Sequence, residues 1–313
     1  MTNVMKVTPV KASARLQSLG DTPMYVKALI YGEPGAGKTY LACTAKNPLL
    51  ILSEWAVARP TLAQLQKERR IDPDTIFVQS WADFEEAYKY AKANADKYDT
   101  IIVDSITDLN DRAIEEVLKE SVANSVSRQK THDPDQLEIG DWGKVANKTL
   151  YAVRLFRDLP CDVIMLALAQ EVKGEMFTAP MASPKAVQKK LAANFNMVGY
   201  LMAEQQPGKT SVRKLHVDMT HLYQAKNPGG ALGATITNPD MAVIINQIKE
   251  HLHYVKDNTV PITANIGYIK PYVWPDAAKD SAAINVVTDA ATQAEPTPTT
   301  PKAAMRPAIR NLT

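Results

Sequence analysis

The sequence predicts an α/β fold: a mostly parallel sheet covered by helices, with an antiparallel extension. Three observations lead to it. Five short, near-continuous apolar runs recur between residues 26 and 169, as expected of strands buried on both faces of a parallel sheet. Segments with a helical apolar period stand between several of them, so strand and helix alternate. A glycine-rich turn follows the first run and opens the first helix.

The elements can be justified in order. Residues 1–23 mix small, polar and charged side chains without a sustained period, which suits a flexible arm. The first run is Val26, Ala28, Leu29, Ile30 and Tyr31, ending at Gly32. Thr39–Lys46 reads as a helix stopped by Asn47 and Pro48, because proline pushes the preceding residue out of the helical region. Leu49–Leu52 is the second run, ending in Ser53 and Glu54, and Ile76–Val78 is the third. Asp83–Lys97 reads as a helix with Phe84, Ala87, Tyr88 and Ala91 on one face. Ile101–Val103 ends at Asp104. Asp141–Leu159 carries an apolar side of Val145, Leu150, Val153 and Phe156 before Pro160, and Val163–Ala169 ends at Gln170. The runs Met197–Ala203, Lys214–Met219 and Leu222–Ala225 lie close together, with no helix between the last two, and read as the antiparallel extension. Met241–Leu252 is a closing helix with Val243, Ile244, Ile248 and Leu252 on one stripe. The core domain therefore spans 24–250, followed by an extension of unassigned role over 251–275. From 276 to 313 alanine, threonine and proline dominate, a composition that cannot offset its ordering entropy, so this tail is expected to be disordered.

A chain of 313 residues suits one large core with extensions, although two compact domains remain open. Lysine plus arginine number 36 against 34 acidic residues, a net charge of +2, which excludes a polybasic chromatin-type protein and an acidic disordered one. Any nucleic-acid surface is thus a local patch. The Val163–Ala169 stretch falls well short of the roughly 20 residues that cross a bilayer, so no membrane partner is expected. Lys6, Lys11 and Arg15 are followed by no apolar signal region, and the expected location is the cytoplasm. Cys43 and Cys161 are too few for a disulfide framework and read as reduced core thiols.

The chemistry is concentrated in Gly32-Glu33-Pro34-Gly35-Ala36-Gly37-Lys38-Thr39, which satisfies the P-loop pattern in full. The glycines let successive amides turn inward around phosphate oxygens, the helix start running through Tyr40 completes the cradle, and Lys38 reaches the β- and γ-phosphates. ATP and Mg²⁺ are the expected ligands. Thr39 places its hydroxyl on the metal, and Asp104, terminating a strand some sixty residues on, is the expected acidic residue at its side; the competing role for Asp104 is a helix N-cap. Many P-loop machines of AAA+ design place a glutamate directly after this aspartate to polarise water. Here that place holds Ser105, so the base must come from elsewhere. Glu54 is the best-placed candidate, since the carboxyl ends of parallel strands face the nucleotide crevice; otherwise it is a surface glutamate. Gln170 ends its strand in the same manner and is a candidate γ-phosphate sensor or a solvated loop residue.

The GEPGAGKT loop, the strand ending in Glu54, the IIVDS strand, the DVIMLALAQ strand and the HLYQAKNPGG segment together resemble the RecA-like ATPases of bacteriophages, across about residues 24–250. One branch of that group is linked to single-strand annealing and recombination. The resemblance implies a RecA-like P-loop core, with Glu54 as the catalytic glutamate and Gln170 coupling nucleotide state to DNA binding. It also implies single-stranded DNA as partner, assembly into a ring or filament of identical subunits, and other phage recombination or replication proteins as candidate partners. Relatives tend to carry a basic pair near Lys226 that acts on the neighbouring subunit's nucleotide. Lys226 is instead followed by Asn227 and Pro228, so one cation is left for a trans-acting role. The loop after the fifth strand, Glu171–Leu191, holds Lys173, Phe177, Lys185, Lys189 and Lys190, cations and a ring suited to sequence-tolerant single-strand binding. Glu171 and Glu175 dilute that patch, and a solvated helix start is the alternative. Lys119–Glu138, with Arg128, Lys130 and His132, reads as a second DNA loop or an insertion. His251 and His253 lack a further ligand and read as helix-end residues.

Two other functions share these features. A small-molecule or nucleotide kinase also uses a P-loop, but usually brings an arginine-rich lid, and only Arg69 and Arg70 form a pair after the loop. A non-catalytic module would use ATP only to order an assembly for helicase loading or packaging.

Overall fold

The fold is described from a computed structural model over residues 23–123, 136–172, 176–205 and 211–252, all within one unit that spans Met1–Lys256. The N-terminal arm, the tail, most of the 251–275 extension, Arg128, Lys130, His132, Lys173, Glu175 and His253 lie outside the described residues.

Each predicted run becomes a strand because its residues alternate between two apolar layers. In β1 (Lys27–Gly32), Leu29 and Tyr31 enter one core while Ala28 and Ile30 enter the other. The same split recurs in β2 (Pro48–Leu52), β4 (Thr100–Asp104) and β5 (Asp162–Glu171). One layer is closed by α3 (Trp81–Ala93), α4 (Ile106–Ala123) and α5 (Ile139–Arg157), through Trp81, Phe84, Leu109, Val153 and Phe156. The other is closed by α1 (Lys38–Cys43), α2 (Trp55–Arg69) and α7 (Met241–His251), through Leu41, Leu65, Ile244 and Ile248.

Together with β3 (Asp74–Phe77), β6 (Thr178–Pro180), β7 (Met197–Glu204), β8 (Val212–His216) and β9 (Thr235–Thr237), these form a nine-stranded sheet of order β3-β2-β4-β5-β1-β7-β8-β9, with β6 paired to β5. Strands β1 to β5 and β7 are mutually parallel; β6 pairs antiparallel with β5, β8 with β7, and β9 with β8. The strand β5 lies between β1 and β4, with Leu168 opposite Gly32 and Leu166 opposite Asp104.

Several boundaries differ from expectation. The first helix stops at Cys43 rather than Lys46 because the Thr44 hydroxyl donates to Leu41 O at 2.7 Å and accepts from Met241 N at 2.8 Å. α3 opens at Trp81, two residues early, because Ser80 and Asp83 form a capping box. Three helices had not been anticipated, α2, α4 and that at Lys185–Leu191, and Lys119 belongs to α4 rather than to a loop. The strand expected in the antiparallel extension at Met197–Ala203 is parallel to β1, because α6 (Lys185–Leu191) first carries the chain back across the sheet. Leu222–Ala225 forms no strand; Tyr223 bridges Thr178 and Lys226 bridges Val198 singly. Strand Lys214–Met219 is shifted to Val212–His216, and β9 completes the edge. On α7, Val243 is 62% exposed, and Ile245 takes its place in the buried stripe. Among the described residues, no helix is long and apolar enough to cross a membrane.

Candidate nucleotide site

The site begins where β1 runs out of partners. Gly32 passes so close to β7 that a Cβ on it would stand 2.3 Å from Leu201 O. The chain then turns, with Ala36 N donating to Glu33 O at 3.1 Å. Gly35 at φ +78° and Gly37 at φ +95° occupy the left-handed region that side chains avoid. From Lys38, the first residue of α1, the ammonium folds back across the loop to donate to Gly32 O at 2.9 Å and Glu33 O at 3.0 Å. Burial holds its pKa below the usual lysine value, against the opposing pull of the Asp104, Glu33 and Glu54 carboxylates. Glu33 and Pro34 are exposed, whereas Ala36 is buried. Tyr40 lies half-buried, its hydroxyl donating to Glu68 Oε2 at 3.0 Å on α2.

Thr39, one residue into α1, reaches across the end of β5 to Asp104. Its hydroxyl donates to Asp104 Oδ2 at 2.6 Å. Asp104 is fixed from behind by Ser53, whose N–H and hydroxyl both donate to Asp104 O at 3.0 Å. Desolvation raises the Asp104 pKa; the Thr39 hydrogen bond and the Lys38 charge oppose it, while Glu54 and Asp108 add to it. Glu54 follows Ser53 as the N-cap residue of α2. It is exposed, and its charge is felt by both Lys38 and Asp104. The Asp104, Glu33 and Glu54 carboxylates thus all act on one ammonium at the carboxyl end of the sheet.

The Thr39 and Asp104 oxygens fit a hard divalent ion: two oxygen donors 2.6 Å apart, one of them a desolvated carboxylate beside a phosphate-binding loop. Among the described residues no group of three or more His, Cys, Asp or Glu could hold a metal, so an ion at Thr39 and Asp104 would draw its other ligands from water and phosphate.

The remaining sequence candidates are scattered. Gln170 stands on the strand between the two halves of the site, but β5 does not end there. It pairs with Ala179 in the β5–β6 hairpin and lies about 7 Å beyond the level of Gly32, at 3.3 Å per residue. Phe177 is half-buried beyond the last β5–β6 pair, on the side of the turn, its carbonyl accepting from Val172 N at 2.8 Å. The segment expected as a loop is therefore a hairpin followed by α6. Lys185 opens α6, whereas Lys189 and Lys190 sit exposed in its last turn, where Lys190 O accepts from Asn194 Nδ2 at 2.9 Å. Asn194 Oδ1 in turn accepts from Arg157, at the end of α5. These lysines run down one helix and do not gather around the hairpin. Lys226 lies beside the start of β7, at the end of the sheet away from the loop, and its ammonium donates to Phe195 O at 2.8 Å.

A residue not singled out from the sequence does stand at the loop: Arg213 of β8, whose Nε is 3.0 Å from where a Gly37 Cβ would be. No motif marks it, because β8 meets the loop only through the antiparallel return of the chain.

A glycine loop at the end of a buried parallel strand, a lysine spanning it, and a threonine hydrogen-bonded to the aspartate of a second strand define a P-loop nucleotide-binding core. A family model described as an AAA domain matches residues 24–228, and the chain belongs to that family. It is, in that general sense, a nucleotide-binding ATPase domain. No curated protein matches the chain.

Proposed function

We propose that the chain binds Mg-ATP at Gly32–Tyr40 and hydrolyses it, as a RecA-like ATPase that assembles with its own copies on single-stranded DNA in phage recombination or replication. The observation that carries the nucleotide reading is the Thr39 Oγ1 to Asp104 Oδ2 contact of 2.6 Å beside Lys38. The DNA reading rests on the family resemblance and on the exposed cations of α6.

Positioning and electrostatics supply most of the rate. Loop amides and Lys38 hold the triphosphate. Magnesium, when bound at Thr39 and Asp104, would neutralise charge on the β- and γ-phosphates. Glu54 accepts a proton from the attacking water as its oxygen bonds to the γ-phosphorus. The bond from that phosphorus to the β,γ-bridging oxygen breaks, and its electron pair leaves with ADP.

ATP turnover and calorimetry with and without an oligonucleotide test this. The parent protein is expected to bind Mg-ATP and to turn over faster with single-stranded DNA. Lys38→Ala is expected to lose nucleotide binding, and Glu54→Gln to keep binding and lose turnover. Parent-rate hydrolysis by Glu54→Gln would remove the base assignment, and no heat with Mg-nucleotide would remove the whole reading. Phosphate transfer to an acceptor would point to a kinase, and binding without turnover to an assembly module.

A further inference from the structure

We propose that Arg213 is a second cation for the bound polyphosphate, supplied by the same chain from the antiparallel edge of the sheet. The inference rests on the nucleotide site proposed above and assigns the site's arginine.

The placement follows from register. Gly32 pairs with Leu201 of β7, and Ala203, two residues further along β7, pairs with Arg213 of β8. Arg213 therefore stands just past the end of β1. Its alternation with Leu215 and Val217, both buried in the α1 layer, puts it on the side of the sheet where α1 begins. Its backbone is held on both polar groups: its N–H donates to Asn238 Oδ1 at 3.3 Å and its carbonyl accepts from Asn238 N at 2.7 Å. The side chain then passes over Gly37, with Nε, Cδ and Cζ at 3.0, 3.7 and 3.9 Å from the position a Cβ would take there. A residue larger than glycine at 37 would meet the arginine.

The charge balance points the same way. Among the described residues Arg213 is half-buried and has no carboxylate partner, whereas its neighbour Lys214 is paired with Glu204. A partly desolvated guanidinium without an anion is unfavourable until one arrives, and this one sits beside a loop built to receive phosphates. Its planar fork matches two phosphate oxygens at once. Lys226, the cation expected from the sequence, instead has its ammonium on Phe195 O at 2.8 Å.

The test uses the full chain with Arg213→Gln and Arg213→Lys, Mg-ATP and Mg-ADP binding by calorimetry, and steady-state turnover. Arg213→Gln is expected to weaken ATP about tenfold or more and to lower kcat about a hundredfold, as for removal of one preorganised transition-state donor. Arg213→Lys keeps a charge but not the fork and is expected to recover only part of the loss. Loss of ATP but not ADP affinity would place the contact on the γ-phosphate, and equal loss of both would place it on the α- and β-phosphates; either supports the inference. Parent affinity and parent kcat in both variants, alongside loss of binding in Lys38→Ala, would overturn it and leave the nucleotide site intact. Recovery of turnover on mixing Lys38→Ala with Arg213→Gln protein would also overturn it, by placing the arginine on a neighbour's nucleotide. Failure of the parent to bind either nucleotide would remove the site and this inference together.

Discussion

Replacing the loop glycines one at a time by alanine separates two physical reasons for glycine. At Gly32 the new Cβ would lie 2.3 Å from Leu201 O and 3.3 Å from Leu201 C, and both obstacles are backbone. Ordinary contact requires β1 and β7 to part by about 1 Å, while β1 is also clamped to β5 along its whole length. Overpacking of this kind costs roughly 1–3 kcal/mol, and a rigid obstacle puts Gly32→Ala near the top of that range. Loss of unfolded-chain entropy offsets about 0.4–1 kcal/mol. The net is about 2 kcal/mol, or a fall in Tm of roughly 4–8 °C for a domain of this size. At Gly35 nothing lies within 4 Å, but φ is +78°, so only backbone strain acts. That strain is about 1–2 kcal/mol, and after the same offset the expected fall is about 2–4 °C. Gly37, at φ +95°, adds only the movable end of Arg213 and is expected to resemble Gly35 in stability. Thermal unfolding followed by circular dichroism reads all three. If Gly35→Ala is destabilised as much as Gly32→Ala, or Gly32→Ala melts with the parent, the distinction between clash and strain is wrong.

Three further outcomes are expected. Asn110 is buried and donates to Thr149 Oγ1 and Ser183 O while accepting from Ser183 N, so Asn110→Ala is expected to cost about 2–5 kcal/mol in urea unfolding; a loss under about 1 kcal/mol would mean that water replaces the network. Burial lowers the Lys27 pKa to about 8, so between there and the unfolded value of 10.5 the unfolded chain holds a proton that the folded chain has released, and this residue's contribution to stability rises with pH. Lys27→Met should lack that rise, and parallel stability profiles for parent and variant between about pH 7.5 and about pH 10 would refute it. Burial pushes the Cys43 thiol up to about 12 and that of Cys161 to about 11, so a thiol reagent near pH 8 is expected to label the folded protein at least about tenfold more slowly than the unfolded one; equal rates would contradict their burial.

The parts of the molecule that could be read from the sequence are those whose causes are local. The loop from Gly32 to Thr39 is legible because its backbone conformation demands glycine at fixed intervals, and Asp104 because an apolar run ending in a carboxylate is unusual beside such a loop. The α4 helix is local in the same sense, with Ile106, Leu109, Ala113 and Val117 at helical spacing and all buried. By contrast α2 buries only Ala58 and Leu65 and contains Pro60, so its sequence gives little periodic signal. What periodicity cannot carry is register between distant segments. Lys226 is drawn to the far end of the sheet by its bridge to Val198, and Arg213 is drawn to the loop by pairing with Ala203. Neither position follows from any window of the chain. The α6 lysines show the same limit, because whether neighbouring cations form a cluster depends on the direction in which their helix crosses the sheet.

The position of β5 has a mechanical corollary. It is the shared wall between the strand that feeds the phosphate loop and the strand that ends at Asp104, and it continues outward past the level of Gly32 to pair with β6. A load applied to β6 is therefore delivered to a strand bonded on one side to β1, which leads into the loop, and on the other to β4, which ends at Asp104.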